Sequence, residues 1–210
     1  MIGSAVVDKK EILKTILNAA ALYHRNLESK NYIILFNSSN ARGELIISHI
    51  ETMFLASNFL HLTGVKTTLS PADFYRNSLE HRLSIKHFDI QDEIICERKM
   101  SVLPYVMNMA ENCKMLGDYR NQHGIFLRTD KLVGGIRGAL GFVVSNNAPG
   151  YYVPNTALNE DIRNLSAKTY RILAMFSKKR LENKYTEPAV IVKNADCTAI
   201  FDYLRKINKA

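Results

Sequence analysis

Cysteine is scarce: three residues in 210, Cys96, Cys113 and Cys197, with no two of them standing as CxxC. An odd count without repeated spacing excludes a disulfide framework or a zinc ribbon, and reads as reduced thiols of a cytosolic protein. No apolar run approaches the ~18 residues that a bilayer span requires. The opening MIGSAVVDKKEILK has neither a long apolar core nor a small-residue cleavage site, so no secretory leader and no membrane association are expected. GxxxxGK[ST], a GxGxxG that opens a helix, HExxH, GxSxG and a calcium loop are all missing. Their absence argues against ATP-driven work, dinucleotide cofactors and zinc proteolysis. Neither a cofactor nor a metal site is expected.

What is present is an ordinary globular composition, 47% hydrophobic and 23% charged, which sets aside disorder, collagen and coiled coil. The length fits one domain over residues 1–210. The formal charge is +8, and it is unevenly placed. Residues 1–105 carry 12 basic and 11 acidic side chains, and residues 106–210 carry 16 and 9. From Arg163 to Lys184 there are seven basic residues and one acidic, beside Tyr170. Such a stretch attracts polyanions and offers a ring for stacking, and it equally describes a solvated basic face.

Asp8-Lys9-Lys10-Glu11 has the form of a capping box, and Ile12, Leu13, Ile16, Leu17, Ala20 and Leu27 fall on one stripe of a helix over about 9–27. Tyr32–Phe36 and Glu44–Ile50 form a hairpin around the turn cluster NSSNARG. Extended chain is expected to resume over 52–55 and 58–65. Ser70-Pro71-Ala72-Asp73 opens a helix, and a short helix is predicted from Ser84. Residues 92–116 read as helical, with a break at Pro104 and a stop at Gly117. Strands follow at 124–128, 136–144, 151–153, 168–176 and 188–193, and a helix closes the chain over 199–207. This order predicts an α+β domain, a mainly antiparallel sheet with N-terminal helices packed on one face and a C-terminal helix.

Few residues suggest chemistry. Gly134-Gly135-Ile136-Arg137-Gly138 precedes a strand and reads as a tight turn. His81, His87 and Asp89 match no helix face and read as solvated surface. His61 differs, because it ends an apolar run in Asn58-Phe59-Leu60-His61-Leu62-Thr63-Gly64-Val65-Lys66. On a strand Thr63 would share its side, Gly64 permits a bend, and Lys66 follows within reach. These groups suit proton transfer beside a phosphate, while a core histidine bonded to backbone is the competing reading. In Tyr170–Lys179, a strand would place Arg171, Leu173, Met175 and Ser177 on one face and Tyr170, Ile172, Ala174, Phe176 and Lys178 on the other. Arg163 could pair with phosphate or with Asp161.

NFLHLTGVKTTLSPADFYRNSL, LGF at 140–142 and YYVPNTALNEDIRNLSAKTYRILAMFSKK, in that order, resemble the phage-type barnase–EndoU–colicin–RelE-like nuclease family over roughly residues 30–195. The resemblance implies a barnase/RelE-like fold, N-terminal helices and then a four-stranded antiparallel sheet with its active site on the open face. It implies His61, Thr63 and Lys66 at the site, Ser177 and Lys178 opposite them, and Arg163 and Tyr170 on RNA. Arg171, Lys179 and Arg180 extend the basic surface. The implied chemistry is metal-independent RNA cleavage by the substrate's own 2′-OH, with His61 as base and Lys66 or Lys178 steadying charge on phosphate. No second histidine sits in a matching segment; His123 is the one candidate acid. The expected function is therefore a cytoplasmic endoribonuclease of toxin or phage-conflict type. The alternatives are a non-catalytic phage protein binding nucleic acid or a host defence protein, and a structural or inhibitor-binding module. RNA and an antitoxin or host defence protein are the partners these readings imply.

Overall fold

The computed structural model describes residues 8–120 and 127–209. Helix α1 (Lys9–Asn26) begins where Asp8 accepts the Lys10 amide; of the predicted stripe it buries Ile12, Ile16 and Ala20 and leaves Leu13 and Leu17 half-buried, and it buries Tyr23 as well. Strands β1 (Lys30–Ser39) and β2 (Leu45–Met53) form the expected hairpin. Asn40 accepts the amides of Arg42 and Glu44 across its turn, and Gly43 supplies the positive φ.

The extended chain expected over 52–55 is there in part, since Thr52 and Met53 end β2 and Leu55 is extended, but that expected over 58–65 is not. One 3₁₀ turn (Ala56–Asn58) leads into α2 (Phe59–Thr63), because Phe59, Leu62 and Thr63 are buried together at helical and not alternating spacing. Helix α3 (Pro71–Leu79) has Ser70 as cap and proline at its first position, as its sequence signals. No helix starts at Ser84: the His87 ring accepts the Ser84 amide and closes a turn instead.

Helix α4 (Glu93–Met107) runs through Pro104 without breaking. The missing amide falls in the last turn, where the Asn108 side chain donates to the Pro104 carbonyl and Tyr105 exchanges bonds with Asn112. The short α5 (Met109–Asn112) follows. Gly117 is no helix stop. It lies inside β3 (Met115–Tyr119), where a Cβ would come 2.1 Å from the Ser166 hydroxyl.

The second half is the strand-rich part: β4 (Lys131–Gly134), β5 (Ala139–Val144), β6 (Tyr151–Leu158), the turn-long α6 (Ile162–Leu165), β7 (Ser166–Lys179), β8 (Glu187–Ile191) and α7 (Cys197–Ile207). The Gly135 amide donates to the Gly138 carbonyl, so the glycine run is the tight turn that was expected. Of the strand predicted at 124–128, residues 124–126 lie outside the described residues, and Leu127 and Arg128 are not in a strand.

Eight strands, not four, form one sheet in the order β1-β2-β6-β5-β4-β3-β7-β8, and β7 also pairs with β1, so that seven of them close a ring. Every pairing is antiparallel except β2 with β6, which are joined over two residue pairs, Glu51 with Tyr151 and Thr52 with Tyr152. Both faces are covered. Tyr32, Ile34 and Phe36 join the core shared with α1–α5, while Ile33, Leu35, Leu173 and Phe176 pack beneath Ile200 and Leu204 of α7. The α+β fold expected, N-terminal helices on one face of a mainly antiparallel sheet and a C-terminal helix, is the one observed, and α7 takes the opposite face because β1 and the second half of β7 are apolar on both sides.

Phe54 is fully buried, with ring centroids 6.1 Å from Tyr23, 6.0 Å from Tyr32 and 5.9 Å from Phe142, and so joins α1, β1 and β5. Phe54→Ala is expected to cost about 3–5 kcal/mol, measured by urea unfolding. On the other face, His49 hydrogen-bonds Tyr203 of α7 at 3.1 Å. Burial holds the imidazole below its ordinary value, against the opposing pull of Glu51. The folded protein thus takes up this proton less readily than the unfolded chain, so His49 stabilises above about pH 6.5 and that share is lost as pH falls through its folded-state pKa. His49→Gln is expected to flatten the acid side of a melting-temperature profile between about pH 7 and pH 5.

Candidate functional site

The HLTG segment is built to present one side chain. The Asn58 carboxamide accepts the Leu55 amide at 3.0 Å and turns the chain into α2. Phe59 and Leu62 anchor α2 in the core, which leaves His61 outside and exposed. The competing core-histidine reading is thereby set aside. Thr63 is buried, and its hydroxyl donates to the Leu60 carbonyl at 2.8 Å. Gly64 ends the helix at φ +75°, with the Lys99 Cδ 2.9 Å from where a Cβ would stand. The Lys99 ammonium donates to the His61 carbonyl at 2.8 Å, and burial lowers its pKa. In this segment Thr63, Gly64 and Lys99 shape the backbone, and His61 faces solvent. Lys66 lies beyond the bend, exposed, in a two-bond backbone bridge with Asp89.

His61 lines a cleft of about 410 Å³. Leu55, Ser57 and Asn58 share its wall, and Arg128, the β5–β6 turn from Val143 to Asn147, Val153 and Asn155 make the remainder. Among the described lining residues His61 and Arg128 are the ones that titrate or carry charge; the others supply amides, hydroxyls and apolar walls. An imidazole, a permanent cation and several amides can accept a proton and hold an anion. Thr63, Lys66, Ser177 and Lys178 do not line the cleft.

The expected opposite wall forms a separate cluster. Ser177 is buried, with its hydroxyl 3.4 Å from a Glu187 carboxylate oxygen. The Lys178 ammonium lies 4.3 Å from the Tyr185 ring centroid and 5.9 Å from that of Tyr151. The Tyr185 hydroxyl donates to Glu51, and burial followed by that bond raises its pKa far above the ordinary phenol value. The Lys179 amide donates to Glu182 at 3.1 Å. The Arg180 guanidinium donates to the Phe54 carbonyl at 3.1 Å, one residue before Leu55 of the cleft.

Tyr170 and Arg171 stand in the first half of β7, eight and seven residues from Lys178 and so about 23–26 Å away along the strand. The Tyr170 ring packs on Phe36 at 5.2 Å, its hydroxyl donates to Asp118, and the Lys168 ammonium sits 5.1 Å from its centroid. Burial pushes the Asp118 carboxyl up, but hydrogen bonds from Lys131 and Tyr170 and nearby positive charge outweigh it and hold the group below its ordinary value. Arg171 donates to the Lys193 carbonyl at 3.4 Å. Arg163 makes a forked ion pair with Asp161, whose carboxyl is lowered by those bonds. His123 lies outside the described residues. His81, His87 and Asp89 do not converge, and among the described residues no three His, Cys, Asp or Glu side chains are placed to hold a metal ion.

Sequence reasoning singled out His61 of the residues that line this cleft and did not single out Arg128, Asn155, Ser145, Asn146 or Asn147, because no local spacing links them to HLTG. His61→Ala is expected to change unfolding stability by no more than about 0.5 kcal/mol in urea titrations, because the ring is exposed. Lys178→Ala is expected to cost about 1–2 kcal/mol in the same assay, because it empties a desolvated site between two rings.

No curated protein and no solved structure matches the chain significantly. No helix among the described residues is long and apolar enough to cross a membrane. The family described as phage-Barnase-EndoU-ColicinE5/D-RelE like nuclease4 matches residues 15–189, which include the whole of the His61 cleft, and the chain belongs to that nuclease family.

Proposed function

We propose that the protein is a metal-independent endoribonuclease and that the His61 cleft is its active site. One observation carries this reading: His61, presented by a rigid backbone motif, and Arg128 line the same cleft of nucleotide size. His61 takes the proton from a ribose 2′-OH, and the 2′-oxygen attacks the adjacent phosphorus. The bond from phosphorus to the 5′-oxygen breaks, leaving a 2′,3′-cyclic phosphate, and the departing 5′-oxygen takes its proton from water. Arg128 stabilises the charge that builds on the non-bridging oxygens. The nucleophile belongs to the substrate, so the step makes no demand on a metal-bound water. Arg180, beside Leu55, supplies the cation for a neighbouring phosphate, the role that the resemblance had given to a wider basic set. Cleavage of cellular RNA in the cytoplasm would make the protein a toxin-like effector of the phage-conflict kind, held in check by a protein antitoxin.

A second reading has its own observation. Among the described residues the cleft is lined by one imidazole and no carboxylate, so none of those side chains pairs with His61 as acid to its base. A domain of this kind could bind RNA, or a host defence protein, through the same surface without cleaving anything.

Purified wild type, His61→Ala and Arg128→Ala are incubated with total cellular RNA in EDTA, and the ends are analysed. The expected result is 2′,3′-cyclic phosphate ends from wild type, with a rate loss of about 10²–10⁴-fold for His61→Ala and about 10²–10³-fold for Arg128→Ala. Cleavage only after a divalent metal is added overturns the metal-independent mechanism. No cleavage by folded wild type, with RNA binding that weakens as salt rises, selects the binding protein.

A further inference from the structure

We infer that Asn155 is a positioning residue that sets Arg128 in the cleft, an assignment that rests on reading the cleft as a phosphate site. Arg128 belongs to no helix or strand, so its place depends on what holds the chain around it. Four hydrogen bonds do so. The Asn155 carboxamide nitrogen donates to the Arg128 carbonyl. The Thr129 hydroxyl, on a side chain that is buried, donates back to the Asn155 carboxamide oxygen at 3.4 Å. Asp130 then fixes the exit: its carboxylate accepts the Val144 amide at 3.0 Å and its own amide donates to the Phe142 carbonyl at 2.8 Å.

A bulge makes this possible. In the β5–β6 ladder Gly141 pairs with Thr156 and Phe142 pairs with Pro154, so Asn155 is the extra residue, opposite no partner. An extra residue bends a strand locally and re-aims its side chain, and Pro154 beside it contributes no amide to the ladder. Gly141 leaves the room that the arrangement needs. A Cβ there would stand 2.6 Å from Thr156 and 3.0 Å from the Thr129 methyl group, which would push Thr129 away from Asn155. Bulge, glycine and threonine thus serve one end, to point the 128–130 backbone across from α2. The strand has no packing need for a carboxamide at this position, since Asn155 lies on the cleft wall.

A double-mutant cycle tests the assignment, using a fluorescein-labelled eight-nucleotide 2′-deoxy oligonucleotide, which has no 2′-OH and cannot be cleaved. Arg128→Ala is expected to weaken its binding about tenfold, the effect of one phosphate contact of roughly 1.4 kcal/mol. Asn155→Ala should weaken it by a similar factor. The combined variant should bind no worse than Arg128→Ala alone, because Asn155 acts through Arg128. Thr129→Val, which keeps the shape and removes the hydroxyl, should reproduce part of the Asn155→Ala loss, and Thr129→Ser should restore binding. It thereby keeps the test open if Asn155→Ala does not fold. Losses that add in the combined variant, or wild-type binding by Asn155→Ala, overturn the assignment. If wild type binds the probe but cleaves no RNA, catalysis falls while the cycle still decides the role of Asn155. Wild type that binds no probe removes the phosphate site and this assignment with it.

Discussion

The structure depends on β7, a fourteen-residue strand that uses both of its edges. Its first half pairs with β3, its second half pairs with β8 along the same side, and β1 runs along the other side from Lys30 to Phe36. That last pairing closes the ring. A sheet closed in this way must bend, and it does so at register shifts in the β1–β7, β3–β7, β5–β6 and β7–β8 ladders. Closure also forces the one parallel contact, β2 against β6. Because β2 and β6 run the same way there, the chain leaving β2 passes alongside β6 and sets Leu55 to His61 next to Val153 and Asn155. The cleft is therefore a product of topology. One wall is the local motif around His61, and the other comes from segments about 70–100 residues further along the chain.

This explains which parts were readable from sequence. Elements with their own caps and turns could be read: Asp8, Ser70 and the NSSNARG hairpin each announce a boundary through side chains that bond backbone within a few residues. Where tertiary packing decides, the reading failed. Phe59-Leu60-His61-Leu62 has enough apolar residues to pass for a strand, and only burial of Phe59 and Leu62 on one side selects the helix. Pro104 looked like a break, yet Asn108 answers the carbonyl left near it. Gly117 looked like a helix stop because the contact that requires glycine, Ser166, lies 49 positions away. The same limit governed the site. His61 stands in a motif with a recognisable outline, whereas Arg128 and Asn155 become partners only when β5 and β6 pair with one residue too many.

The basic surplus of the second half needs a similar correction of scale. As a sum it suggests a broad polyanion-binding face, but many of those charges are already committed. Lys178 lies between two rings, Arg163 is forked onto Asp161 and Lys131 pairs with Asp118. A committed cation still contributes to the long-range field that draws in an anion, but it does not grip a phosphate without first breaking a contact. Long-range attraction and local grip are thus carried by different residues here.

Lys178 shows why the distinction matters for mechanism. A lysine near the end of a sheet strand, opposite a histidine in sequence order, is the natural candidate for steadying a phosphate. In the folded chain it faces Tyr185 and Tyr151, with Glu51 bonded to the same Tyr185, and Asn208 clamps Tyr185 through both its backbone amide and its carbonyl. Drawing the ammonium out toward the cleft would forfeit those ring contacts and open the loop that carries Arg180. Its place is structural: Lys178 packs against Tyr185 at one end of the loop from which Arg180 donates to the Phe54 carbonyl, so the buried cation and the one bonded beside the cleft belong to the same loop and do different work.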